Sequence, residues 1–225
     1  MFAELSQPQF WVAAVEIVIV NILLSGDNAV VIALACRNLP PAQRKWGVFW
    51  GAFGAIALRV VLTVFAVSLL DLPWLKLVGG LLLLWIGVKL IAEEEGEGGE
   101  VEGSNRLMSA VKTVVVADLV MSLDNVLGVA AAANGSLVLL VFGLLVSVPL
   151  VIAGSALILK LIERFPILIV GGGALLGYIA GEMFVREPVL MPWLEARGHW
   201  THWGVPVACA VLVVAVAKVM ERRRG

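Results

Sequence analysis

Seven apolar stretches, each about as long as a membrane-spanning helix, constrain this chain more than any other feature of its sequence. A helix needs about 20 mostly apolar residues to cross the hydrocarbon core, where its backbone polar groups must be satisfied internally. The chain is 61% hydrophobic and 15% charged, whereas soluble domains carry about 25% charged residues. We therefore predict an all-α, polytopic membrane protein with seven transmembrane helices at residues 10–36, 46–70, 73–92, 108–133, 136–160, 166–184 and 204–220.

The loops between these stretches carry Lys and Arg very unevenly. Three of these residues (Lys76, Arg186 and Arg197) fall on one side of the predicted membrane, and Arg59 lies within a span. The other side collects twelve, from Arg37 to the C-terminal arginines. Because cytoplasmic loops are enriched in Lys and Arg, we predict the cytoplasmic (inner) membrane, with the N-terminus outside and the C-terminus in the cytoplasm.

The first and fourth spans share a polar motif, "NILLSGDNAV" and "DLVMSLDNVL". The third and sixth spans also align, so two halves of three spans each repeat one pattern. Three is odd, so the second half enters the membrane in the opposite direction, as in the inverted repeats of many transporters. We predict one integral membrane domain, 1–225, made of repeat 1 (10–92), an acidic, glycine-rich cytoplasmic linker (93–106), repeat 2 (108–184) and an extra C-terminal helix (204–220).

The repeated motif places oxygen ligands in the middle of two antiparallel spans. Such ligand sets suit hard cations, whereas zinc and copper prefer nitrogen and sulfur. Polar side chains can also simply bond one helix to the next, at about 0.6 kcal/mol each. Inserting three carboxylates costs roughly 7–10 kcal/mol together, which favours an ion site over such bonding. The predicted metal ligands are Asn21, Asp27, Asn28, Asp118, Ser122, Asp124 and Asn125, with Ser25 as a further oxygen nearby.

Other charged residues and two histidines lie outside this ligand set. Arg59 lies too deep in its span to reach the interface, so we expect it to pair with a carboxylate. Glu16 is read either as a vestibule acid or as a solvated interfacial residue, and Glu182 either as a snorkelling helix end or as a proton relay. His199 and His202 give a weak pattern for metal binding. We find no nucleotide loop, serine nucleophile or cysteine–histidine group, so no enzyme and no cofactor is predicted.

The doubled "DN" motif, in a seven-span chain with an acidic linker after the third span, resembles the TerC family of integral membrane proteins, especially its short YjbE-type members. The resemblance covers nearly the whole chain. It implies export of Mn²⁺, with metal-handling acids at Asp27, Asp118 and Asp124. Some relatives are tied instead to membrane-protein handling or to metal stress. The preference for manganese over calcium or magnesium rests on this resemblance and not on the ligand set.

These observations together predict an exporter of divalent cations that works by alternating access. Moving charge outward against the membrane potential costs about 2.3 kcal/mol per charge per 100 mV, so we expect H⁺ or Na⁺ counter-transport. Two alternatives stay open: an exporter of amino acids or small solutes similar to the LysE group, and a non-transporting membrane scaffold. The expected partners are the divalent ion and the lipid bilayer, not nucleic acid, and the sequence leaves a homodimer open.

Overall fold

The computed structural model describes residues 11, 15, 26–64, 74–92, 103–132, 137–198 and 200–224. Within these ranges the chain forms eight helices and no strand, which confirms the all-α prediction. The helices are α1 (Gly26–Cys36), α2 (Pro41–Val64), α3 (Leu75–Ala92), α4 (Gly103–Ala132), α5 (Leu137–Arg164), α6 (Ile167–Val185), α7 (Met191–Glu195) and α8 (Thr201–Arg224).

Several of these helices have the length and composition of membrane spans. By length and apolar composition, α2, α3, α6 and α8 can each cross a membrane, and α1 is a shorter apolar helix. Parts of the predicted first and second spans, residues 16–25 and 65–70, lie outside the described residues, as does most of the acidic linker. The count of seven spans stays a prediction.

Helix ends extend beyond the predicted spans where the sequence is polar. Helix α2 begins at Pro41 rather than at residue 46, because proline lacks an N–H and favours the first helical position. Helix α4 begins at Gly103, so residues 103–106 of the predicted linker are helical and not unstructured. Hydropathy marks only the part of a helix that is immersed in hydrocarbon, and a helix can continue into water. The five-residue α7 was not predicted, since it is too short to show periodicity.

Helices α1 to α6 share one apolar core, and α8 packs outside it against α6 and α3. Ile32 and Leu34 of α1 are almost completely buried, and α1 packs against α2, α4, α5 and α6. The short helix α1 is therefore central to the bundle, which places the polar residues at its start in the protein interior.

Glycines allow the closest helix contacts, because they have no side chain to separate the two backbones. A Cβ atom on Gly173 of α6 would lie 3.2 Å from the backbone oxygen of Gly87 on α3. One on Gly181 would lie 2.4 Å from the Cα of Pro206 on α8. Helix α6 is thus fixed between α3 and α8 by direct backbone approach.

Glu187, which follows α6, caps the start of α3. Its side chain is 0% exposed, and its Oε1 and Oε2 accept hydrogen bonds from the backbone N–H groups of Trp74 (3.0 Å) and Leu77 (3.3 Å). Trp74 has a φ of +70°, a conformation in which non-glycine residues are uncommon. A carboxylate at a helix N-terminus satisfies the first N–H groups and the helix dipole. Glu187 therefore joins the end of the second predicted repeat to the first.

We expect Glu187→Gln to destabilise the protein by about 1–3 kcal/mol, because one of the two backbone N–H groups would then face an amide NH₂ instead of a carboxylate oxygen. Thermal unfolding in detergent measures this change. Glu195→Gln is the matched control, since Glu195 is an exposed acid on neighbouring α7. Equal melting temperatures for the two variants would contradict the capping role.

Candidate functional site

A buried ion pair joins α2 to α4 in the interior of the bundle. The Nη2 atom of Arg59 lies 2.8 Å from Oδ1 of Asp118. Arg59 is 3% exposed and Asp118 is 4% exposed. The prediction that Arg59 pairs with a carboxylate is confirmed. Removing either partner would leave a buried charge uncompensated, which is strongly destabilising.

Ser122, one turn after Asp118 in α4, forms hydrogen bonds with both members of this ion pair. Its hydroxyl accepts a hydrogen bond from Nε of Arg59 (3.0 Å) and donates one to Oδ2 of Asp118 (3.1 Å). Asp118 and Ser122 therefore lie on one face of α4. In this structure Ser122 orients the guanidinium and the carboxylate, and its role as a metal ligand stays a prediction.

Asn28 brings α1 to the same place. It is 5% exposed, and together with Asp118 it borders a small cavity of about 10 Å³ between α1, α2 and α4. The other walls are apolar: Val31, Ile32, Ala55 and Val114. A cavity of this size holds about one water molecule, which is also the scale of a small bare cation.

Asp27 adds a second carboxylate to the cluster. It is partly buried, and its Oδ1 accepts a hydrogen bond from the backbone N–H of Asn28 at 2.8 Å. It interacts electrostatically with both the Arg59 guanidinium and the Asp118 carboxylate. The described cluster of two acids and one arginine therefore carries a formal charge of −1.

The structure brings together four of the seven predicted ligands, Asp27, Asn28, Asp118 and Ser122. Helix α4 includes the backbone of Asp124 and Asn125, but their side chains lie outside the described residues, and Asn21 and Ser25 lie outside them entirely. Over the side chains that are described, no group of three His, Cys, Asp or Glu residues could hold a metal. The three-carboxylate site stays a prediction.

The other candidates lie away from this cluster. Glu182 forms an ion pair with Arg186, one turn later, at 3.6 Å on the surface, in keeping with the helix-end interpretation. His202 is exposed, whereas Glu16 and His199 lie outside the described residues. Sequence reasoning singled out Arg59 but did not include it in the site. The signal in the sequence was a charged side chain in the middle of a predicted span.

Comparison with known proteins supports the expected family. A family model described as "Integral membrane protein TerC family" matches residues 6–225. The chain is 44% identical over 189 residues, covering 84% of it and 86% of the relative, to the uncharacterized membrane protein YjbE of Bacillus subtilis (strain 168). It is 30% identical over 188 residues, covering 80% of it and 73% of the relative, to the uncharacterized membrane protein YceF of the same organism. It is 26% identical over 185 residues, covering 74% and 77%, to the UPF0053 inner membrane protein YgdQ of Escherichia coli (strain K12). No solved structure matches the chain significantly.

Proposed function

The chain belongs to the TerC family of integral membrane proteins, and from this premise we propose that it exports divalent metal cations, Mn²⁺ first among them. The observation that carries this proposal is a cavity of about 10 Å³ bordered by Asn28 and Asp118. Arg59 pairs with Asp118, and the partly buried Asp27 interacts electrostatically with both. Ionisable groups inside a membrane bundle are rare, because they are costly to insert, and they mark ion or substrate pathways.

Charge balance favours a divalent substrate. Arg59 neutralises Asp118, so Asp27 supplies the net charge of −1 in the described cluster. Asp124, which the repeat relates to Asp27, would raise the net charge to −2. A single divalent cation then neutralises the whole site without an added proton. Carboxylate and amide oxygens suit Mn²⁺, Mg²⁺ and Ca²⁺ alike, and the choice of Mn²⁺ follows the family resemblance.

Alternating access requires two halves that can move against each other, and the helix contacts support the proposed inverted repeat. A two-fold relation would exchange α1–α3 with α4–α6. This exchange would turn the contact between α2 and α4 into one between α5 and α1, and both contacts are present. It would also turn the contact between α3 and α4 into one between α6 and α1, and these are present too. The pairs α1–α4, α2–α5 and α3–α6, which such a relation maps onto themselves, also pack. The cluster lies where α1 and α4 meet.

Counter-transport follows from the energetics of export. Moving two charges outward against an inside-negative potential costs about 4.6 kcal/mol per 100 mV. Protons or Na⁺ entering in exchange would supply this energy by competing with the metal for the same carboxylates. We place the protein in the cytoplasmic membrane with its N-terminus outside, because Lys and Arg are concentrated on the opposite side.

One observation favours a second candidate, an exporter of an amino acid or small solute. Arg59 reaches the cluster, so a zwitterion could place its carboxylate on Arg59 and its ammonium group on Asp27. In this structure, however, the cavity has room for about one water molecule. An amino acid would therefore require the helices to separate, whereas a bare cation would not.

Flux through the purified protein in liposomes tests both candidates. We expect a dye quenched by Mn²⁺ to report transport that accelerates when a proton or Na⁺ gradient is imposed, because the entering ions supply the energy of export. Radiolabelled amino acids serve as the competing substrate. Equal Mn²⁺ flux with no gradient would contradict the coupling. Amino-acid flux without metal flux would establish the second candidate, and no flux of either kind would favour the scaffold.

A further inference from the structure

A groove of about 360 Å³ lies between α3 and α4, away from the charged cluster. Its polar lining includes Lys89 of α3 and Lys112 and Ser109 of α4, and its apolar lining includes Trp85 and Met108. Trp85 is 60% exposed and Met108 is 56% exposed. The groove therefore combines two positive charges with an open apolar surface.

The groove lies near one end of the predicted spans. Gly79 of α3 lies beside Val120 of α4, whereas Lys89 shares the groove with residues of the first turns of α4. The two helices are thus antiparallel, and the end of α3 lies beside the start of α4. Lys89 is three residues before the end of α3 at Ala92. At this depth a lysine side chain can extend its ammonium group to the edge of the hydrocarbon core.

We propose that this groove binds an anionic phospholipid. The two ammonium groups and the Ser109 hydroxyl match a phosphate diester, while Trp85 and Met108 provide a surface for acyl chains. The Nζ atom of Lys89 lies 5.5 Å from the centre of the Trp85 ring, so the charge is held directly above the apolar surface. Basic pockets between transmembrane helices bind the headgroups of anionic lipids in this way.

A lipid fits the groove better than free phosphate does. Inorganic phosphate would bind to the lysines and the hydroxyl but would make no contact with the apolar part of the lining. A zwitterionic lipid would fill the apolar part but bring no net negative charge to Lys89 and Lys112. The combination of both features selects a lipid with net negative charge, such as phosphatidylglycerol.

Native mass spectrometry of the full chain, with phosphatidylglycerol or phosphatidylcholine of identical acyl chains, tests this assignment. We expect the wild type to retain phosphatidylglycerol preferentially. Lys89→Gln/Lys112→Gln should weaken this retention about tenfold or more, since each lysine near an anionic headgroup contributes on the order of a factor of five. Lys112 is exposed and Lys89 is half-buried against Trp85, so the double variant should still fold, with a small loss of stability that thermal unfolding measures.

The matched control is Lys45→Gln/Lys160→Gln. Both lysines are exposed, and the ion pair of Arg44 with Glu163 places the start of α2 beside the end of α5. Gly51 of α2 lies beside Val114 of α4, and Arg59 contacts Ser122, which follows Val114 in the chain. Helices α2 and α4 are therefore parallel, and both begin at the same side of the bundle. The control therefore removes two charges from the same face, outside the groove.

Three results would overturn the proposal. Equal retention of the two lipids would show that charge is not recognised. Equal losses in the groove variant and the control would show a diffuse effect of surface charge. Displacement of the lipid by millimolar inorganic phosphate would identify the site as one for free phosphate.

Discussion

Asp27→Asn should reduce Mn²⁺ flux through the reconstituted protein at least about a hundredfold. The substitution keeps the shape of the side chain and removes one of the two described carboxylate charges of the cluster. A unit charge about 4 Å from a cation is worth about 4 kcal/mol at an effective dielectric constant of 20, and each 1.4 kcal/mol is a factor of ten. A divalent ion would lose more than a monovalent one.

The same substitution should leave the fold intact. Asp27 is only partly buried, and the amide oxygen of Asn can still accept the hydrogen bond from the backbone N–H of Asn28. Thermal unfolding in detergent checks this expectation. Glu163→Gln is the control for flux, because it removes a carboxylate on the surface that pairs with Arg44. Wild-type flux in Asp27→Asn would mean that the ion passes elsewhere.

Much of the architecture follows from the sequence because the thickness of the bilayer sets the length of each apolar span. Apolar runs of span length predict where α3 and α6 lie to within two residues at either end. Polar turns at helix ends carry no such signal, so the starts of α2 and α4 were placed too late. The bilayer also made Arg59 interpretable, since a charge in mid-span needs a partner.

The identity of that partner required the structure. Arg59 and Asp118 are 59 residues apart in the chain, and only the parallel packing of α2 on α4 brings them together. The bonds of Ser122 also required the structure: a hydroxyl both donates and accepts, so the sequence alone does not separate a metal ligand from a residue that links two side chains. Glu187 was missed because a loop carboxylate usually lies in water, and its two N–H partners are on a distant helix.

Arg59→Met should lower the stability of the protein by about 3–5 kcal/mol, the largest change that we expect from a single substitution. The methionine fills part of the volume of the arginine stem but leaves the Asp118 carboxylate buried without its cation. Ser122 can offer that carboxylate only one hydrogen bond. Chemical unfolding in detergent, compared with the wild type, measures the change.

The double variant Arg59→Met/Asp118→Leu separates the structural role of the ion pair from its role in transport. Replacing both partners of a buried pair by apolar side chains is often neutral or stabilising, and Ser122 can then bond to the backbone oxygen one turn earlier in α4. We therefore expect stability near that of the wild type. If Asp118 takes part in binding the ion, the double variant should be stable but transport no Mn²⁺, because it lacks that carboxylate. Full flux in the double variant would confine Asp118 to a structural role. Ion binding would then be assigned to Asp27 and to Asp124, its counterpart in the predicted repeat.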